Sequence, residues 1–235
     1  MINKIRYFFS ILTSLISPPR CRFCNDTLLD EESFVCFDCQ IKLQNERTYF
    51  ETIAHNKISN LFWGILPIHN ACCFFYFEKQ GIIQHLIHSL KYKHQPEIGI
   101  FLGEIMGKEL AASPLYQNID YIIPVPIHHK RRKERSYNQT EKIAIGIQKH
   151  IQKPIIKNNL IRTIYRESQT TLTNRQRWKN ARGIYKLLRP EQLKNKHILL
   201  VDDVITTGAT ITSCGKELCK ANNIKISIVS IAGGM

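Results

Sequence analysis

The chain has 235 residues and a formal net charge of +14, with 43% of its residues hydrophobic and 22% charged. That length suits one sizeable domain plus a small appendage, and the composition is that of an ordinary globular protein rather than a disordered or fibrous one. No run of about 18 apolar residues occurs, so no transmembrane helix is expected.

The charge is localised. Residues 128–189 hold 17 Lys and Arg against 3 acids, so this stretch alone carries the whole excess. A field that concentrated suits a polyanion, either a phosphorylated ligand or nucleic acid.

In chain order, residues 1–20 place Lys4 and Arg6 before the apolar run YFFSILTSLIS. No A-x-A-like cleavage site follows, which argues against a secretory signal and for an amphipathic helix that docks on the domain or a partner. Residues 21–40 contain Cys21-x2-Cys24-x11-Cys36-x2-Cys39. Two matched CxxC turns bring four soft thiolates within tetrahedral reach, the pattern of a closed, structural Zn²⁺ knuckle. The other four of the eight cysteines, Cys72, Cys73, Cys214 and Cys219, lie in apolar runs and are expected to be small buried side chains. Metal ligands plus core thiols point to a reducing compartment, and so to the cytoplasm.

Residues 41–70 show little patterning and are expected to connect the knuckle to a domain over 71–235. There a β/α alternation begins. CCFFYF (72–77) is predicted to be a buried strand. A helix follows, with Ile82, Ile83, Leu86, Ile87 and Leu90 on one face. A second helix is predicted over 97–112, a strand over 121–126, a helix over 139–150 and strands over 197–201 and 225–232. Strands alternating with helices imply an α/β fold, a parallel sheet flanked by helices, with ligands gathered at the carboxyl ends of the strands.

The segment HILLVDDVITTGATI (197–211) carries the chemistry. Its apolar strand ends in two adjacent carboxylates, Asp202 and Asp203. Thr206, Thr207, Gly208, Ala209 and Thr210 then turn into a helix. Gly208 lets backbone approach a ligand closely, and the hydroxyls with the free amides of the helix start form an anion cradle. Carboxylates repel phosphate and call for sugar hydroxyls or a cation instead. Acids that seek hydroxyls beside a phosphate cradle describe a ribose 5-phosphate.

Residues 198–210 resemble the 5-phosphoribosyl 1-pyrophosphate (PRPP) signature of type I phosphoribosyltransferases: four apolar, two acidic, two variable, then small hydroxylated residues around a Gly. With VPIHHKRRKERSYNQ (125–139), QTTLTNRQRWKNARGIY (169–185), LKYKHQ (90–95) and the paired CxxC turns, the chain resembles the ComF family. That resemblance implies a type I phosphoribosyltransferase fold behind a zinc knuckle, and a part in DNA uptake during natural transformation. It implies that Asp202 and Asp203 bind the ribose hydroxyls and that residues 206–210 hold the 5-phosphate. Residues 125–128 fall where related folds carry a pyrophosphate loop, and Mg²⁺ would accompany PRPP. Lys91, His128, Arg131, Arg132 and Arg135 are candidates to meet the pyrophosphate, as are Arg175, Arg177 and Arg182. Single-stranded DNA and a competence helicase or other transformation protein are the implied partners.

No hood that would recognise an acceptor base can be read from the sequence, so catalysis of transfer stays open. Three functions are compatible with these residues: a competence protein coupling PRPP to single-stranded DNA, a metabolic phosphoribosyltransferase acting on a nitrogenous acceptor, or a nucleic-acid adaptor with a vestigial PRPP site.

Overall fold

The computed structural model describes residues 18–32, 34–48, 56–78, 80–165 and 183–233. The helix expected over 1–20 therefore lies almost wholly outside the described residues, as do Arg175, Arg177 and Arg182. The chain divides into two compact units, one ending at Glu46 and the other beginning at Arg47.

In the first unit an antiparallel bridge between Arg20 and Thr27 folds the chain back on itself. Helix α1 (Phe37–Asn45) starts at Cys36, so Cys39 falls in its first turn. Leu28, Val35 and Leu43 are buried together with Cys21 and Cys39.

The second unit opens with a short helix, α2 (Lys57–Asn60), closed by a capping box between Asn56 and Ser59. Strand β1 (Asn70–Tyr76) leads into α3 (Ile82–Tyr92) and α4 (Pro96–Ala112). Strand β2 (Tyr121–Pro124) is followed by α5 (His129–Arg135) and α6 (Gln139–Ile151). Two short strands, β3 (Leu160–Arg162) and β4 (Tyr185–Leu187), precede β5 (His197–Ile205), α7 (Ala209–Leu218) and β6 (Lys225–Gly233).

Strands β1, β6, β5 and β2 form, in that order, a sheet in which every pairing is parallel. This is the α/β class expected from the alternating pattern. Strand β5 is buried at every residue but Val204, as a central parallel strand covered on both faces must be. On one face Ile198, Leu200, Ile226 and Ile228 meet α7, residues 58–66 and the antiparallel β3–β4 ribbon. Helix α6 packs on β2 and β5, and α4 packs on α6 and β6. Helix α3 buries the five apolar positions expected of it, Ile82, Ile83, Leu86, Ile87 and Leu90.

Two details depart from the expectations and shape the site. Strand β5 does not end at Val201. It continues through the two aspartates because β6 keeps pairing, with Asp202 opposite Ser230 and Ile205 opposite Gly233. Strand β2, by contrast, stops at Pro124, opposite Val201. The acid pair therefore lies within a strand that has lost its neighbour on one side. The β3–β4 ribbon and α5 are elements the periodicity did not reveal.

Candidate functional site

Three elements converge on Asp203. Lys91, in the last turn of α3, places Nζ 2.9 Å from Asp203 Oδ2. Gln139, the first residue of α6, donates to the same oxygen from Nε2 at 3.0 Å. The backbone N–H of Val204 donates to Oδ1 at 2.7 Å. Lys91 is itself braced, since the Tyr137 hydroxyl donates to the Leu90 carbonyl. Among the described residues Asp202 has a local donor by comparison: Asp203 N–H reaches its Oδ1 at 2.9 Å.

Both carboxyls are buried, at 6% and 7% exposure. Their environments drive them apart. Burial first, then the neighbouring Asp203 charge, pushes Asp202 up from 3.8 to about 7. Burial also acts to raise Asp203, but the Lys91 ammonium and the donated hydrogen bonds outweigh it and hold that carboxyl below the usual range. Close to neutral pH the pair therefore carries roughly one firm charge, on Asp203, and one exchangeable proton.

Behind the acids, residues 206–208 turn into α7. Gly208 stands at the helix N-cap with φ +72°. A Cβ there would come within 2.9 Å of the Phe62 ring, and Phe62 is fully buried. Only glycine suits both the left-handed backbone and that close approach. Thr206 and Thr210 are exposed and Thr207 is half-buried, so their side chains rim a helix start whose first N–H groups have no intrahelical acceptor.

Residues 125–128 leave β2 beside the acids. They are pinned from α6: Asn138 Nδ2 and Thr140 Oγ1 donate to the Val125 carbonyl at 3.1 and 2.6 Å. Asn138 also caps α6, accepting from Thr140 N–H. His128 caps α5, its Nδ1 accepting from Lys130 N–H at 3.3 Å. Burial, then the nearby charges of His129, Arg162 and Lys130, lowers its pKa and favours the neutral ring.

The candidate cations divide into two groups. Lys91 is in the site. Arg132 instead makes a two-pronged bond to Glu141, at 3.1 and 3.2 Å, and the Arg135 guanidinium lies 5.2 Å from the centre of the Tyr92 ring. Arg131 is half-buried on the same helix. Gln139 was overlooked in the sequence, although it closes the N-Q pair of the quoted basic string. Arg162, on the ribbon, had no sequence signal at all.

In the first unit the Sγ atoms of Cys21, Cys24, Cys36 and Cys39 all lie within 4.8 Å of one another. Cys24 and Cys36 are 3.5 Å apart. Tetrahedral Zn–S bonds of about 2.3 Å require S···S edges of about 3.8 Å, so this set fits zinc. The Cys36 N–H points at Cys21 Sγ from 3.4 Å. Such backbone bonds overcome burial and lower that thiol to about 6, whereas Cys24, hydrogen-bonded to its neighbours, and Cys39, buried and hydrogen-bonded to its neighbours, are pushed up. Of the other cysteines, Cys72 and Cys214 are buried as expected, Cys73 is half-buried and Cys219 is exposed. Cys219 follows the last buried position of α7, Leu218, and so turns outward.

Over 167 residues the chain is 30% identical to competence protein F of Haemophilus influenzae, a match spanning 66% of this chain and 73% of that protein. The chain belongs to the competence protein F family. The DNA utilization protein YhgH of Escherichia coli K12 is 27% identical over 138 residues, and the matched region spans 60% of that relative's length. No protein-family model matches. Among solved structures, the glutamine PRPP amidotransferase from B. subtilis complexed with ADP and GMP is 19% identical, with a TM-score of 0.39, over 60% of this chain and 30% of that one. The adenine phosphoribosyltransferase from Leishmania tarentolae is 12% identical, with a TM-score of 0.35, over 76% and 88%. For this member of the family the acid pair, the α7 turn and the four-cysteine cluster are the features to be explained.

Proposed function

We propose that the chain binds PRPP at the end of β5 and acts in DNA uptake, in contact with single-stranded DNA, as a cytoplasmic member of the competence protein F family. In this reading residues 21–40 are a zinc knuckle and residues 71–235 the ligand-binding domain. The observation that carries it is the divided acid pair beside the α7 turn. Asp203, held ionised by Lys91, accepts hydrogen bonds from a ribose diol. Asp202, near its midpoint at neutral pH, both donates and accepts. The start of α7, with Thr206, Thr207 and Thr210, offers amides and hydroxyls to the 5-phosphate. Residues 125–128 face the pyrophosphate end.

The donor set fits a Mg²⁺ ion that arrives on the diphosphate better than a resident one. Lys91 already neutralises Asp203, and such ions are held by few carboxylates plus substrate oxygens. When bound, the ion supplies charge neutralisation of the diphosphate.

Two features support the DNA contact. The relatives' names concern competence and DNA utilization. In addition, α5 has no buried residue and bears five of the basic residues of the 128–189 stretch. Tyr92, 59% exposed, and Tyr165 lie against its cations Arg135 and Lys130, and aromatic faces beside basic side chains suit stacked bases. No helix among the described residues is long and apolar enough to cross a membrane.

Thermal unfolding with and without PRPP and Mg²⁺, for the natural sequence and for Asp202→Asn/Asp203→Asn, tests the site. Ligand at a hundredfold excess over Kd stabilises by about 2.7 kcal/mol, a rise of roughly 5–10 °C for a domain of this size. No rise in zinc-loaded protein refutes the site, and pyrophosphate release with a nitrogenous acceptor would make the protein a transferase. Single-strand binding should weaken with salt, with a slope of about 0.7 per neutralised phosphate. A flat response removes the DNA contact.

A further inference from the structure

We infer that Arg162, on the β3–β4 ribbon, is the arm that holds the diphosphate end of the ligand. This rests on the reading of the site as a PRPP site and adds to it a residue from an element the sequence did not reveal.

The ribbon presents Arg162 in a fixed pose. Arg162 pairs with Tyr185 across the two strands, and its guanidinium carbon lies 5.8 Å from the centre of the Tyr185 ring. Tyr185 is buried. A guanidinium held over a buried ring keeps its place and can still offer N–H donors to another partner.

The location is the one a diphosphate arm needs. The Arg162 charge is felt at both Asp202 and His128, so it lies within electrostatic reach of the acid pair and of the 125–128 loop. The chain leaving β3 confirms that neighbourhood. Thr163 is tied to the ribbon, its N–H and Oγ1 both donating to the Ile184 carbonyl, and the Tyr165 ring lies 5.1 Å from the His128 ring. The α7 turn lies on the other side of the acids in chain order, following β5. If the ribose diol sits on the acids and its 5-phosphate at α7, the anomeric end points to residues 125–128 and Arg162.

The hydrogen bonding of Arg162 is incomplete. Its Nε is buried and has no partner, and Gln139 Oε1, on the residue that holds Asp203, is likewise buried and unpartnered. A buried donor left unmade costs stability, which is tolerated where a ligand completes it. Two of the candidate cations are already engaged, Lys91 with Asp203 and Arg132 with Glu141. The Arg162 charge acts on Asp202, whose own carboxyl is only about half ionised near neutral pH. A guanidinium fork beside a weak counter-charge matches two adjacent phosphates.

Isothermal calorimetry on the full zinc-loaded chain with Mg²⁺, using PRPP, inorganic pyrophosphate and ribose 5-phosphate as separate probes, tests the assignment. Arg162→Gln should weaken PRPP and pyrophosphate by about ten- to a hundredfold, the range for a lost charged hydrogen bond, and leave ribose 5-phosphate within about threefold. Arg162→Lys should recover part of the loss, because it restores the charge without the fork, and it serves as the folded control if the glutamine variant unfolds. Unchanged pyrophosphate affinity overturns the assignment. So does an equal loss of all three probes, which would make Arg162 a structural partner of Asp202. If the natural sequence binds none of the three, the PRPP reading itself fails, an outcome visible without any Arg162 variant.

Discussion

Replacing Asp202 with Asn separates what the site costs the fold from what it does for the ligand. In the native state the carboxyl holds its proton up to about 7, against 3.8 for the exposed group. Between those values the folded protein binds a proton that the unfolded chain has released, so stability falls as pH rises through that window and is undiminished below it. Three pKa units at about 1.4 kcal/mol each set an upper bound of about 4 kcal/mol by pH 8. The two aspartates titrate as a pair, so about half of that, ~2 kcal/mol, is expected from one substitution. Asparagine keeps the Oδ1 acceptor used by Asp203 N–H and cannot ionise. Asp202→Asn should therefore raise the ligand-free unfolding midpoint by about 4–8 °C near pH 8, and by little near pH 4 to 5. Thermal unfolding at several pH values between these limits, without ligand, reads the effect. The same variant should lose the stabilisation that PRPP and Mg²⁺ give the natural sequence. A variant less stable near pH 8, or a difference that does not change with pH, refutes burial of an ionisable Asp202 as the source of the cost.

The knuckle should hold one zinc per chain by elemental analysis. Cys39→Ser, which removes a buried thiol of the cluster, should abolish that metal and the α1 helicity, since the three aliphatic side chains buried among the described residues of the unit are too few to support it alone; full metal content in the variant refutes the tetrahedral site. Gly103→Ala would put a Cβ 2.2 Å from the Ile143 carbonyl oxygen and, because that obstacle is backbone, should cost about 3 kcal/mol in urea unfolding. A cost below about 0.5 kcal/mol would show that α4 and α6 do not approach as closely as described.

Much of this architecture could be read from the sequence because its signals are local. The five apolar positions of α3 recur with helical period and are all buried. The apolar runs at 198–201 and 225–232 became the two central strands for the same reason. What escaped is non-local. The β3–β4 ribbon has three-residue strands joined across a long insertion, too short for periodicity to register. The end of β5 was misplaced because Asp202 and Asp203 look like a strand terminus, whereas continued pairing with β6 carries the strand past them. Helix α5 is polar all round, with no buried residue and hence no apolar stripe to betray it.

The site divides along the same line. The acid pair and the threonine turn are contiguous in sequence and could be recognised there. The difference between the two acids could not, because it comes from Lys91 and Gln139, distant in sequence and brought in by α3 and α6. The position of Gln139 depends in turn on how closely α6 approaches α4. Gly103 and Gly146 face each other's helices, each at 2.2 Å from an opposing carbonyl oxygen for a hypothetical Cβ, and the ion pair of Lys149 with Glu104 links the same two helices. Gly99, Gly103 and Gly107 recur every four residues along α4, a ridge without side chains that lets the backbones touch. A side chain added on that ridge pushes α6 outward and carries Gln139, Asn138 and Thr140 with it. Asp203 then loses one of its donors, and the 125–128 loop loses both bonds to the Val125 carbonyl. Ligand affinity should therefore fall in Gly103→Ala by more than its stability loss explains, because those glycines set the distance at which the acid pair is held.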